Sequence, residues 1–591
     1  MMRQALLLLL ALAACAGDLD GGSSPGDAGT GGDANPGCAV AFDPIDPIAS
    51  SILPIRAYTT IVNAQGVLSY DWTVTFMGSD VAFTEQASDG SQIGFLAPEA
   101  GPYYVTLRIS GPTTCYESTV LNVTAPGANA DLFRLRTVPS PSLAPPQETY
   151  IQVKGGGDAD RAIALDSGIA VTGLVKNTAT NANVAAYLKF MPASMPTAFS
   201  EVFSSSAGAY TLRLLPIDHD VLVIPSTTTL APKLVRWTAV PLTTQLGVGP
   251  GTVVTGTVRG PNGVGFGGAK VQLYSGGVPS TLATTAPDGT FSVRTDFPAT
   301  ATNVTVKVTP PAASGLPRLE ATGAFDLGQS VQVSYSASLA TCDLGSTPVK
   351  RGGTNQPNAR VTIVGTLPGV AGTVTAGTTI SATNSVVASA TANGSGVLPA
   401  RLVPRGALTA VTELAVPAQS PPDHAASALD TSTCNVTAID APAMTQVSGT
   451  TKLDDTTTLG NVRVEAEPVG DLALAGIAPV QVVSSAAGAF TLPLAPGGRY
   501  TVRFVDPQQR AAPLVADGVA PGGVPTNAIL GKALFISGKV SVVNNMNPVV
   551  GASVQILCAG CSGVEAARPI AETATDTVSR YRIAVPDPGT M

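Results

Sequence analysis

The chain has 591 residues, with 12% charged side chains, a formal net charge of −8, 62 glycines and 48 prolines. An acidic chain so poor in lysine and arginine has no cationic surface to neutralise phosphates, which excludes nucleic acid as a partner. The same shortage removes the usual surface residues of helices, while the excess of turn formers and the Val-rich apolar fraction predict an all-β chain.

Met1 to Ala14 carries one positive charge, Arg3, and then ten apolar residues from Ala5 onward. This is the layout of a secretory signal, and ten residues are too few to span a bilayer as a helix. The run ends in Leu12-Ala13-Ala14-Cys15, which resembles the lipobox of bacterial lipoproteins. The resemblance implies cleavage before Cys15 and a lipid on its sulfur that anchors the chain in a membrane. Ala16 in the next position implies the outer membrane, facing either the periplasm or the outside. Ordinary cleavage after Ala13 is the alternative and would leave Cys15 a free thiol. Residues 15–37 follow with four Asp, no Lys or Arg and only Leu19 as a large apolar residue. Such a stretch cannot bury enough surface to fold, and as a flexible coil it reaches about 25 Å. It reads as a tether.

Beyond Cys15 there are six cysteines. Cys38 with Cys115, Cys342 with Cys434, and Cys558 with Cys561 each fall inside one candidate domain, and in an oxidising compartment they read as three disulfides, although six cysteines admit about 15 connectivities. Residues 38–125 form the first unit. Tyr70, Trp72, Val74 and Phe76 alternate along one strand and Tyr103, Val105, Leu107 and Ile109 along another, which suits the two layers of a sandwich. The Tyr70-x-Trp72 pair and the run from Gly101 to Ile109 resemble PKD domains, an immunoglobulin-like module of extracellular proteins. The turn after Trp72, TVTFMGSD, departs from that family's acidic DFGDG, which leaves other Ig-like families open.

Residues 126–168 contain TVPSPSLAPPQE, with four prolines in twelve residues, and read as a Pro-rich linker with short strands. From there the chain repeats. The clearest copy is VVTGTVRGPNGVGFGGAKVQLYSG from Val253, followed by TTAPDGTFSVRT from Thr284. It resembles the carboxypeptidase regulatory-like domain, a transthyretin-like (prealbumin-like) β-sandwich. Copies are expected at 169–245, 251–338, 445–532 and 533–591, with a diverged one at 340–440; the first-strand glycine and the later turn lie 33 to 41 residues apart in the four clearer copies. Gly at the turn supplies a positive φ, and the aromatic two residues on, Tyr210, Phe291, Phe490 or Tyr581, is expected to point into the core. The fold expected is tandem antiparallel β-sandwiches, Ig-like and prealbumin-like, joined as beads on a string.

Catalytic and cofactor motifs fail on context. Gly263-x-Gly265-x-x-Gly268 runs into a strand rather than the helix N-terminus a dinucleotide needs. Two histidines, His219 and His424, are too few and too far apart for a triad or a zinc site. Asp218-His219-Asp220 reads as a solvated loop rather than a metal site. Cys558-x-x-Cys561 follows a strand with no helix after it, which favours a structural clip over redox or zinc chemistry. No metal or other cofactor is expected, and no enzyme activity. What remains is a cell-envelope stalk or adhesive scaffold that binds envelope or extracellular proteins. The second reading is a carbohydrate-binding accessory, for which Trp237 is the one platform candidate, since the only other tryptophan, Trp72, is expected in a core.

The lipid assignment carries its own test. Metabolic labelling with an alkyne palmitate should mark the wild-type protein and leave Cys15→Ala dark; equal labelling of both would refute it.

Overall fold

The computed structural model describes residues 38–43, 50–61, 68–85, 90–111, 114–123, 130–154, 159–193, 195–238, 243–298, 300–414, 423–542, 548–558 and 569–586. Strands account for nearly all regular structure among them, and no helix there is long and apolar enough to cross a membrane. The signal segment, the tether and Cys15 lie outside the described residues.

In the first unit, the strands Ser69–Phe76 and Gly101–Ser110 pair antiparallel, Trp72 opposite Leu107. The two alternating stripes are therefore neighbours in one sheet, not opposed layers. Their inward residues, Trp72, Val74, Tyr103, Val105, Leu107 and Ile109, pack against Ile55, Ala57, Ile93 and Phe95 of a second sheet. Both stripes face one way because the facing layer supplies its own apolar alternation.

The repeats share one frame. In the copy at 169–245, the first strand Ile169–Asn177 has Ala209–Leu214 antiparallel on one side and Thr243–Val248 parallel on the other. The facing sheet runs Ser200–Phe203, Ala186–Pro192, His219–Pro225, Lys233–Trp237. Thr252–Arg259 and Thr445–Lys452 begin the same arrangement, each with one antiparallel and one parallel neighbour. Within it the first-strand glycine always sits opposite the aromatic: Gly173 and Tyr210, Gly256 and Phe291, Gly449 and Phe490, Gly538 and Tyr581. All four aromatics are buried. The glycine is required because the ring takes the place of its side chain: a Cβ on Gly256 would lie 2.3 Å from Phe291 Cζ. The preceding turn needs glycine for its backbone, with Gly289 at φ +82°.

The unit at 340–440 is not a separate bead. Its strand Gly372–Ala376 pairs with Val331–Tyr335 of the preceding copy, and Thr383–Thr391 pairs with Arg318–Asp326, so two sheets cross the expected boundary. The core follows suit, with Val374 and Ala376 packed among residues of the 251–338 copy. The next junction is also apolar, since Val364, Val411 and Ala426 join the core of the 445–532 copy.

The largest departure from expectation is at the two ends of the repeat array. Residues 126–168 are no linker. Ala130–Val138 pairs antiparallel with Ser553–Cys558, Gln147–Lys154 adds beside it, and Ile163–Leu165 runs parallel to Ala533–Val542. In the copy at 169–245 these three positions are occupied by 219–225, 233–237 and 243–248. The segment 533–586 thus supplies the first half of a sandwich whose second half comes earlier in the chain. One core holds both, with Phe133, Leu135, Ile151, Val153, Ile163 and Leu165 packed against Ile536, Val540, Val554, Ile556, Tyr581 and Ile583. Tyr581 donates to the Arg161 carbonyl, 2.7 Å away and 420 residues earlier. The string of sandwiches is closed into a loop. The four prolines of 137–148 lie between two strands and outside both, which is why the stretch reads as a linker in sequence.

Closure predicts a cross-link. The short strand Ala159–Asp160 also runs parallel to Ala533–Val542, with Asp160 and Ser537 as register partners. An Asp160→Cys/Ser537→Cys chain should form the bridge spontaneously in air, read by non-reducing peptide mapping; finding both thiols free in the folded protein would contradict the closure.

Candidate functional site

The outer face of the 445–532 sandwich lies against the 533–586 half of the composite sandwich, and a cleft of about 360 Å³ lies between them. Its floor comes from three adjacent strands, Arg463–Val469, Arg499–Val505 and Leu514–Val519. Strand alternation sends Val464, Ala466, Val502 and Phe504 into the core, fully buried, and leaves Arg463, Glu465, Arg503 and Val505 on the other face. In register, Arg463 is opposite Val505, Glu465 opposite Arg503, and Arg503 opposite Val515. Pro507 and Pro513 form one wall, and Pro569, Ile570, Glu572 and Ile583 the other.

The charges divide into committed and uncommitted groups. Asp506 is committed: burial pushes its pKa up, but Arg510 and the backbone amides of Gln508 and Arg510 outweigh this and hold it below the usual range. Glu572 accepts from Ser553 Oγ at 2.7 Å and Gln555 Nε2 at 3.3 Å. Arg503 is different. Its Nε is buried without a hydrogen-bond partner, and burial lowers the guanidinium pKa against the opposing pull of Glu465 and Asp517. A desolvated donor left unpaired costs about 1–3 kcal/mol, more when charged, so the arrangement favours an incoming acceptor.

Cys342 and Cys434 are joined as expected, with Cα atoms 5.3 Å apart. Cys115 is disulfide-bonded, while Cys561 and the side chains of Cys38 and Cys558 lie outside the described residues. Trp237 is no sugar platform: it is 8% exposed, with its ring 5.4 Å from that of Phe190 in the sandwich core. It faces inward because strand Lys233–Trp237 alternates and Trp237 sits opposite the buried His219. Among the described residues the exposed aromatics are instead Phe203, 77% exposed beside Tyr187, and Phe83, Tyr104 and Tyr116 on the first unit. Asp218-His219-Asp220 is likewise no solvated loop. His219 opens a strand and buries its ring, donating Nδ1–H to the Ile217 carbonyl, while Arg236 binds both aspartates. Among the described residues no group of three or more His, Cys, Asp or Glu could hold a metal.

Sequence reasoning missed Arg463, Glu465 and Arg503. Each reads as an ordinary outward strand position, and only the fold-back of 533–586 covers that face.

No family model matches the chain, and no curated protein does. Among solved structures it is similar to the TIE protein of Bacillus anthracis, at 13% identity over 70% of this chain and 75% of that one, TM-score 0.13. A streptococcal ancillary pilin aligns at 11% identity over 41% and 76%, TM-score 0.14. The major pilin subunit of Bacillus cereus aligns at 9% over 61% and 98%, TM-score 0.12. The fold assignment rests on the strand pairing described above.

His219 gives a pH prediction. Burial lowers its pKa, outweighing the Ile217 carbonyl and the neighbouring aspartates, with Arg236 adding to the lowering. The unfolded chain therefore takes up the proton first, and the stability that neutral His219 confers is present above about pH 6.5 and lost as pH falls below it. The melting temperature of wild type should drop more steeply between pH 7.5 and 5 than that of His219→Gln. Parallel slopes would show that His219 does not contribute.

Proposed function

We propose that the protein is a non-enzymatic scaffold of the cell envelope, anchored to the outer membrane through a lipid on Cys15, that binds envelope or extracellular proteins through its closed loop of β-sandwiches. The supporting observation is the cleft between the 445–532 sandwich and the composite sandwich, where Arg503 keeps a buried donor without an acceptor. The tether at 15–37 would hold this body clear of the lipid surface. Disulfides suit an oxidising compartment and brace the 340–440 unit, where one bridge closes a separation of 92 residues.

A carbohydrate-binding role is the second reading. It no longer rests on Trp237, and draws support only from the exposed Phe203 against Tyr187.

One experiment separates the two. Purified protein with Cys15→Ser should bind isolated envelopes or surface extracts, and protease pretreatment of those extracts should abolish binding while periodate oxidation spares it. The reverse pattern, with Phe203→Ala losing affinity, would replace the protein-binding reading with the glycan-binding one.

A further inference from the structure

We infer that the cleft between the 445–532 sandwich and the composite sandwich receives an extended acidic peptide segment of a partner protein, its carboxylate held by Arg503 and Arg463. This rests on the protein-binding reading above and adds the site and the chemistry of what enters it.

Charge comes first. With Asp506 balanced by Arg510, the remaining charges of the cleft are Arg463, Arg503, Glu465 and Glu572, the last held only by the neutral Ser553 and Gln555. These four sum to zero, so what draws a carboxylate is local: the buried Arg503 Nε that has no acceptor. A phosphate dianion would meet about twice the repulsion from Glu465, Asp506 and Glu572 that a single carboxylate meets. A guanidinium also matches a carboxylate in geometry, offering paired donors where Arg503 Nε now has no acceptor.

The walls decide between ligand classes. Val505, Val515, Pro507, Pro513, Pro569 and Ile570 give aliphatic surface, and none of the lining residues is aromatic. A sugar ring would find no face to stack on, whereas aliphatic side chains flanking an acidic residue would find matching surface. Backbone supplies the last element. Leu514–Val519 is the outermost strand of its sheet and Pro569–Ala574 the outermost of the facing one, each with a single strand partner among the described residues. An extended chain can pair with such an edge, which adds main-chain hydrogen bonds to the carboxylate anchor.

The test uses the full mature chain and the peptide acetyl-Val-Asp-Val-amide, titrated by ligand-observed NMR. The Asp peptide should bind about tenfold or more tightly than its Asn counterpart, because a charge-assisted pair is lost. Arg503→Gln should remove that preference, Arg503→Lys should retain part of it, and added salt should weaken binding of the Asp peptide alone. Unchanged melting of the variants would show that they fold. Equal binding of the Asp and Asn peptides, no binding of either, or an Arg503→Gln chain that still discriminates would overturn the proposal. So would galacturonate bound more tightly than the Asp peptide, which would make the ligand an acidic saccharide, or inorganic phosphate competing equally, which would make the cleft a general anion site. Envelope binding that survives Arg503→Gln while the peptide fails would sink the cleft and leave the scaffold standing; absence of protease-sensitive envelope binding in the wild type would sink the scaffold reading itself.

Discussion

The architecture depends on the antiparallel pairing of Ala130–Val138 with Ser553–Cys558, backed by the parallel pairing of Ile163–Leu165 with Ala533–Val542. Without it, 533–586 would expose Ile536, Val540, Val554 and Ile556 as an open apolar face, and 130–165 would be a set of strands with no sheet to join. The intervening length is a small obstacle. Loop closure costs only about 0.6 kcal/mol per doubling of length, so spanning the middle of the chain costs on the order of 3 kcal/mol more than a ten-residue loop. Burying one or two side chains such as Phe133 and Leu135 contributes as much. The intervening sandwiches lower the cost further, because their shared sheets and cores restrict where the two ends can go.

Those shared surfaces give the loop its stiffness. The third and fourth units are joined by continuous sheets, and the fourth meets the fifth through an apolar seam that also carries His424 Nε2 against Tyr500 Oη at 3.0 Å and Thr409 Oγ1 donating to Asp471 at 2.7 Å. On the other side, Thr197 of the 169–245 copy donates to Glu148 at 2.7 Å, and Arg213 bonds the carbonyls of Ser142 and Ser167. Glu148 is buried and also bound by Arg136, so Thr197 reaches an acceptor already held in place. The composite sandwich therefore contacts both its sequence neighbour and the first repeat. A pull on the N-terminal end would load the strand pairing of 130–138 directly, in a sheet whose partner strands come from the far end of the chain.

Local pattern carried the element-level reading. The aromatics at 210, 291, 490 and 581, the alternation around Trp72 and Tyr103, and the in-domain pairing of Cys342 with Cys434 follow from side-chain alternation, turn chemistry and spacing, all of which act within a few residues or one module. What failed was non-local. In sequence Trp237 reads as a free surface aromatic because nothing in its strand marks which face is inward; the buried His219 opposite decides it. Residues 126–168 looked like a linker because their partners lie near the other end of the chain. After its aromatic-led strand the 169–245 copy has three more strands, and the last copy has none among its described residues. In the composite sandwich those positions are filled by the Phe133/Leu135 and Ile151/Val153 stripes.

The same non-local step explains why the cleft could not be read from sequence and why its ligand would matter to the whole body. Arg503 and Glu465 sit on the outer face of one sandwich, and Ile570 and Ile583 belong to another that exists only when both ends of the repeat array meet. A segment bound there contacts both, so it has more affinity for the closed loop than for an open one. By linkage it stabilises closure by RT ln(1 + [L]/Kd), about 2.7 kcal/mol at a hundredfold excess over Kd. That increment is comparable to the extra loop-closure cost itself. Occupancy of the cleft and integrity of the loop are therefore coupled, and a partner engaged at Arg503 would reinforce the strand pairing of 130–138 with 553–558.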